Sequence, residues 1–183
     1  EGKGNPPVEG KHRTHYLWEE TLQRDQLLEL LRNFLLLEEK ESSTRMIFPR
    51  YHQLRVVNKL LDSSKIKGVG HNYLIQHSTG SGKSNSIAWL AHRLSTLCNE
   101  EQGKVYDSVI VISDRRILNK QLQETIYQIE HTLGVVHKIE RGSKQLAKVL
   151  KDNGNIIITT IHTFSYLAEK ISLLPDRKYG VIV

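Results

Sequence analysis

The chain has 183 residues, with 26 Lys and Arg against 20 Asp and Glu, for a net charge of +6. Leu, Ile, Val and Phe supply 55 of these residues, well above the roughly 20% below which a highly charged chain stays unfolded. Twelve Gly and four Pro exclude collagen-like and low-complexity readings, and no apolar run approaches the roughly 18 residues of a membrane span.

One cysteine, Cys98, leaves no internal disulfide framework and no Cys-based zinc knuckle, which fits a reducing, intracellular (cytoplasmic) setting. Residues 1–16, with three Gly, two Pro and no apolar periodicity, read as a linker. The chain opens without Met or a secretory signal, so it is expected to begin inside a longer protein. Leu27, Leu30, Leu31 and Phe34 then recur at helical spacing after Asp25, a candidate N-cap. The spacing predicts a helical connecting arm over 17–44 whose apolar face packs either on the following domain or on an upstream one. This arm is acidic, with a charge of −4 over 17–41, whereas residues 42–183 carry +9.

After Pro49 a second helical stretch, 50–62, places Leu54, Val57, Leu60 and Leu61 on one face. Beyond Gly68 and Gly70 the period changes. Tyr73-Leu74-Ile75, Val109-Ile110-Val111-Ile112, Ile156-Ile157-Ile158 and Val181-Ile182-Val183 read as strands, with Val135–Ile139 a weaker candidate. Runs apolar on both faces suit parallel strands buried between helices, and helical patterns at 84–98, 115–131, 143–151 and 163–173 alternate with them. The class this predicts is a doubly wound α/β sheet over 45–183.

The sharpest chemical signal is His77-Ser78-Thr79-Gly80-Ser81-Gly82-Lys83-Ser84, between a predicted strand and a predicted helix. Glycines let the backbone turn several N–H groups toward phosphate oxygens, and a helix N-terminus adds positive potential. Lys83 suits the β- and γ-phosphates, and the Ser84 hydroxyl suits Mg²⁺. Gly-x-Gly-Lys-Ser/Thr arises by chance in only about one chain in 150 of this length. His77 stands where the usual pattern has Gly.

Phe48-Pro49-Arg50-Tyr51-His52-Gln53 precedes this loop and resembles the Q-type adenine-recognition motif of superfamily 2 helicases and translocases. A Gln amide offers a donor and an acceptor to an adenine edge, and Arg50 or Tyr51 could stack on the base. Asp114-Arg115-Arg116-Ile117-Leu118-Asn119-Lys120-Gln121 resembles motif Ia of the same superfamily. Thr159-Thr160-Ile161-His162-Thr163-Phe164 resembles motif Ib, with His162 in place of Gln. The resemblance implies that Arg115, Gln121, Thr159, Thr160 and His162 contact the DNA backbone, where donors are needed but no base code.

Taken with residues 10–20 and the arm, the series is similar to the R (restriction, motor) subunit of type I restriction enzymes. That resemblance implies a RecA-like P-loop NTPase lobe, with ATP and Mg²⁺ as cofactors. It also implies double-stranded DNA and the modification and specificity subunits as partners, and a parent that translocates and cleaves DNA. Arg50, Gln53, Ser78, Thr79, Gly80, Ser81, Gly82, Lys83 and Ser84 are then the ATP-binding residues, with Ser84 the Mg²⁺ ligand. The family's Asp-Glu-Ala-His would follow Val183, so the segment is expected to stop short of that motif, to hold no complete catalytic set, and to bind nucleotide without turning it over.

Other readings stay open at this point: another duplex-DNA translocase, such as a type III restriction or chromatin-remodelling-like motor, or a nucleotide-regulated DNA-binding module without hydrolysis. A small-molecule kinase would share the phosphate loop but leave the other two motifs unexplained. Glu9-x-Lys11 matches the end of a restriction-nuclease motif, yet no apolar strand carries it. His12 and His15 lack acidic or Cys neighbours for a metal.

Overall fold

The computed structural model describes residues 7–40, 43–114, 116–129, 135–139, 142–152, 154–168 and 176–183. At its centre four parallel strands lie in the order β4-β5-β3-β6. They are β3 (Ser108–Ser113), β4 (Val136–Lys138), β5 (Ile156–Thr160) and β6 (Tyr179–Ile182). Val109 pairs with Ile156 and Ser113 with Thr160 along β3 and β5, while Val111 pairs with Ile182 across the β3–β6 ladder.

The apolar runs divide between two cores, as alternation along a strand requires. Val109, Val111, Ile156 and Ile158 face a large core shared with α1 (Arg24–Asn33), α2 (Tyr51–Lys67), α3 (Lys83–Ser95) and α4 (Arg116–Gln128). Ile110, Ile112 and Ile157 face a second core with Leu146 and Leu150 of α5 (Ser143–Lys151) and Phe164 of α6 (Ile161–Ala168). Burial on both faces is what a parallel sheet between helices demands, and the expected α/β lobe is present.

Two elements differ from the sequence reading. The arm is helical only through Asn33, as one π-type turn (Leu17–Thr21, closed by Leu22 N–H to the Leu17 carbonyl at 2.7 Å) followed by α1. Residues assigned to the end of a helical arm instead form the antiparallel pair β1 (Leu36–Lys40) and β2 (Ser43–Ile47), registered Leu36 opposite Ile47. Part of the arm's predicted apolar face packs on the lobe itself: Leu30 and Phe34, with Leu36, are buried in the large core, Phe34 against Trp89 of α3 with ring centroids 5.8 Å apart, whereas Leu31 is exposed.

The second difference is the predicted strand at Tyr73–Gln76. Residues 71–78 join no ladder, and Leu74 is 94% exposed. Gly68 and Gly70, both at positive φ, turn the chain between α2 and this segment. Of the helix predicted over 163–173, residues 169–173 lie outside the described residues, as does Arg115.

Candidate functional site

The loop Ser78–Gly82 leads into α3. Gly80 and Gly82 take φ of +74° and +80°, a left-handed conformation that other residues adopt at a cost. At Gly82 space is limiting as well, because a Cβ there would lie 2.5 Å from Gln53 Nε2. At Gly80 a Cβ would meet nothing within 4 Å.

Lys83, the first residue of α3, turns back over the loop and donates from Nζ to the Ser78 carbonyl at 2.8 Å and the His77 carbonyl at 3.3 Å. Its ammonium is exposed and has no carboxylate partner among the described ion pairs. Thr79, Gly80 and Gly82 are exposed beside it and Ser84 is half-buried. The Ser81 hydroxyl and His77 Nδ1 are buried without a hydrogen-bond partner. A cation over a glycine-rich turn at the start of a 13-residue helix is an anion cradle. The residues present therefore fit a nucleotide phosphate with its divalent metal, Ser84 supplying the hydroxyl.

The loop rests on the N-terminal turn of α2. Gln53, 3% exposed, donates from Nε2 to the Gly82 carbonyl at 2.9 Å and to the Ser81 carbonyl at 3.4 Å. Its Oε1 accepts the Arg50 N–H at 2.8 Å, which also closes the first turn of α2. Both N–H groups of the amide are therefore directed at the loop, not at an adenine edge. The adenine-facing orientation expected of Gln53 is replaced by a structural one.

His52 meets the Ser81 carbonyl at 3.0 Å and stacks edge-on against His77, the ring centroids 5.0 Å apart at 88°. The residue pattern of the loop gave no sign of this pair. The signal available was the His that stands in place of the first loop glycine, with a second His 25 residues before it. Burial, then the charges of His52 and Lys83, hold the His77 imidazole below its ordinary range.

Arg50 and Tyr51 face elsewhere. With Tyr16, Glu20, Phe48 and Arg55 they line a cleft of about 750 Å³ between the arm and α2. Its α2 lining recurs at helical spacing through Leu54, Asn58 and Asp62, a side of the helix different from that of His52 and Gln53. No residue of the phosphate loop lines it. Arg55 donates to the Tyr51 hydroxyl at 2.6 Å and lies 5.6 Å from that ring's centroid, so the cleft wall is an aromatic–cation surface.

Of the second group of predicted residues, Thr159, Thr160 and His162 sit at the carboxyl end of β5, where doubly wound sheets present ligand-binding residues. Thr160 is half-buried with its hydroxyl 3.2 Å from that of Thr163, and His162 is exposed. Thr159 points the other way along the strand and is fully buried, its hydroxyl unpartnered, so its expected contact with a DNA backbone does not fit its placement. Gln121 lies on α4. No group of three or more metal-ligating side chains occurs among the described residues, and none of their helices is long and apolar enough to cross a membrane.

A family model described as SWI2/SNF2 ATPase matches residues 52–183, well over half of the chain. Comparison with curated proteins gives no match.

Proposed function

Because the chain belongs to the SWI2/SNF2 ATPase family, we propose that it contributes the nucleotide-binding lobe of an ATP-driven motor on double-stranded DNA. The observation that carries this reading is the loop geometry: two left-handed glycines, one held against Gln53, with the Lys83 ammonium turned back over the loop at the helix start. Ser78, Thr79, Gly80, Ser81 and Gly82 cradle the phosphates of ATP, Lys83 neutralises the terminal ones, and Ser84 ligates Mg²⁺. Gln53 acts by holding the loop, while Arg50 lines the separate cleft between the arm and α2 and takes no part in the phosphate cradle. Hydrolysis of the bound ATP is what powers movement along the duplex.

The DNA track uses Arg115, Gln121, Thr160 and His162. The hydroxyl and imidazole at the strand ends suit phosphate contacts that carry no sequence information. The finer reading is the R subunit of a type I restriction enzyme, working with modification and specificity subunits. It is supported by the similarity of residues 10–20, the phosphate loop and the Asp-Arg and Thr-Thr segments to that family. A chromatin-remodelling-type translocase is the second reading, favoured by the description of the matching family itself.

The test is equilibrium binding of a fluorescent adenine nucleotide with Mg²⁺ to the chain and to Lys83→Ala. Binding that drops at least ten-fold in the variant is expected, since a charge-assisted contact contributes about 1.5–3 kcal/mol. Equal affinities in the two proteins would overturn the reading. Duplex DNA affinity should fall steeply with salt, and a sequence-independent affinity that ignores salt would remove the DNA half of the proposal.

A further inference from the structure

Two neighbouring side chains of α2 support the phosphate loop. Gln53 holds the Gly82 carbonyl at 2.9 Å. His52 is the nearer partner of the preceding carbonyl, at 3.0 Å from Ser81 against 3.4 Å for Gln53. A carbonyl can only accept, so His52 Nε2 carries the proton in this contact. The peptide unit is planar and trans, so drawing the Ser81 carbonyl toward α2 turns the Gly82 N–H the opposite way. The same holds one residue on, where Gln53 fixes the Gly82 carbonyl and thereby the Lys83 N–H. Backbone N–H groups turned to one side are what makes such a loop an anion cradle.

His77 completes the support. Its ring meets that of His52 edge-on at 5.0 Å, and its own carbonyl receives Lys83 Nζ at 3.3 Å. His52 therefore touches the middle of the loop and, through His77, its beginning. Among the described residues, His52 from α2 and Lys83 from α3 are the charged or titratable groups that act on His77.

We propose that His52 is a positioning residue of the nucleotide site: through the Ser81 carbonyl it sets the orientation of the Ser81–Gly82 peptide, and the His77 ring keeps the imidazole in that setting. This rests on the nucleotide-binding reading above and adds to it a residue that the loop pattern does not contain. It also gives the His at position 77 a role, as the wall against which His52 is held.

The experiment compares wild type, His52→Phe, His52→Gln and Lys83→Ala, using a fluorescent adenine nucleotide with Mg²⁺ and thermal unfolding of each protein. Phenylalanine keeps a ring against His77 and removes the donor. Glutamine restores an N–H donor at similar reach. One neutral hydrogen bond corresponds to a change of about two- to ten-fold in affinity. His52→Phe is therefore expected to bind several-fold more weakly with a melting temperature near wild type, and His52→Gln to recover most of the affinity.

Wild-type affinity in His52→Phe overturns the proposal. So does an equal loss in His52→Phe and His52→Gln, because the donor would then be irrelevant. Failure of the underlying reading has a different signature: wild type and Lys83→Ala bind alike, and the positioning role falls with it.

Discussion

The Gln53 amide nitrogen lies 2.9 Å from the Gly82 carbonyl, and a Cβ on Gly82 would stand 2.5 Å from that same nitrogen. The loop glycine is thus constrained twice, by its φ of +80° and by the side chain that supports it. Non-glycine residues pay about 1–2 kcal/mol for the left-handed conformation, and the close approach adds to it. Gly82→Ala should therefore lower stability by about 2 kcal/mol or more, read by chemical denaturation. Adding Gln53→Ala should relieve the steric part while leaving the backbone part, so the double variant should be less destabilised than the two single changes summed. Strict additivity would mean that Gln53 does not press on this position.

The aromatic contact between Phe34 and Trp89 makes the arm part of the lobe's core. Both rings are fully buried. Truncating a buried Phe costs about 3–5 kcal/mol through lost transfer energy and the cavity left behind, and Phe34→Ala should unfold α3 and the arm in one transition with that loss. A two-step unfolding curve, or a loss under about 1 kcal/mol, would show that the arm is an independent appendage.

The ion pair between Glu29 of α1 and Arg93 of α3 joins the same two elements, and its magnitude should be very different. Both side chains keep 26–31% of their surface exposed, and pairs of this kind contribute about 0–1 kcal/mol. A double-mutant cycle on Glu29→Gln and Arg93→Met should give a coupling inside that range that shrinks in high salt. A coupling above about 2 kcal/mol would mark the pair as desolvated.

How far the sequence predicts all this depends on how many residues carry each signal. Ile156-Ile157-Ile158 and Val109–Ile112 announce buried strands because every residue in them needs an apolar neighbour, and the two cores divide them by parity. Gly80, Gly82 and Lys83 announce a phosphate loop because left-handed turns and an anion cradle allow few substitutes. Tyr73-Leu74-Ile75 is as long an apolar run as Ile156-Ile157-Ile158 yet joins no ladder, and nothing in its composition marks the difference. Leu35-Leu36-Leu37 could end a helix or start a hairpin, and only the burial of Leu36 opposite Ile47 separates the two.

Side-chain direction is harder to read. Whether Gln53 faces a base or a loop, and which of Thr159 and Thr160 reaches the surface, depends on rotations about α2 and along β5 that local composition does not encode.

His77 supplies a pH dependence of defined sign. Its imidazole is held below the ordinary value of 6.5 by burial first, then by His52 and Lys83. The unfolded chain then binds more protons than the folded one in the interval between the two values, so stability rises with pH across it. The folded state should be at full stability above about pH 6.5 and lose stability as pH falls toward the folded-state value, below which the contribution is flat. The informative quantity is the difference between two proteins that differ only at residue 77.

Melting temperatures of wild type and His77→Asn, measured from pH 8 to pH 5, should show a wild-type profile that drops more steeply below pH 6.5. Asparagine carries no proton there, and its profile lacks this component. Two parallel profiles would mean that His77 titrates at the same pH in the folded and unfolded chain and that its contacts with His52 and Lys83 do not bear on its charge.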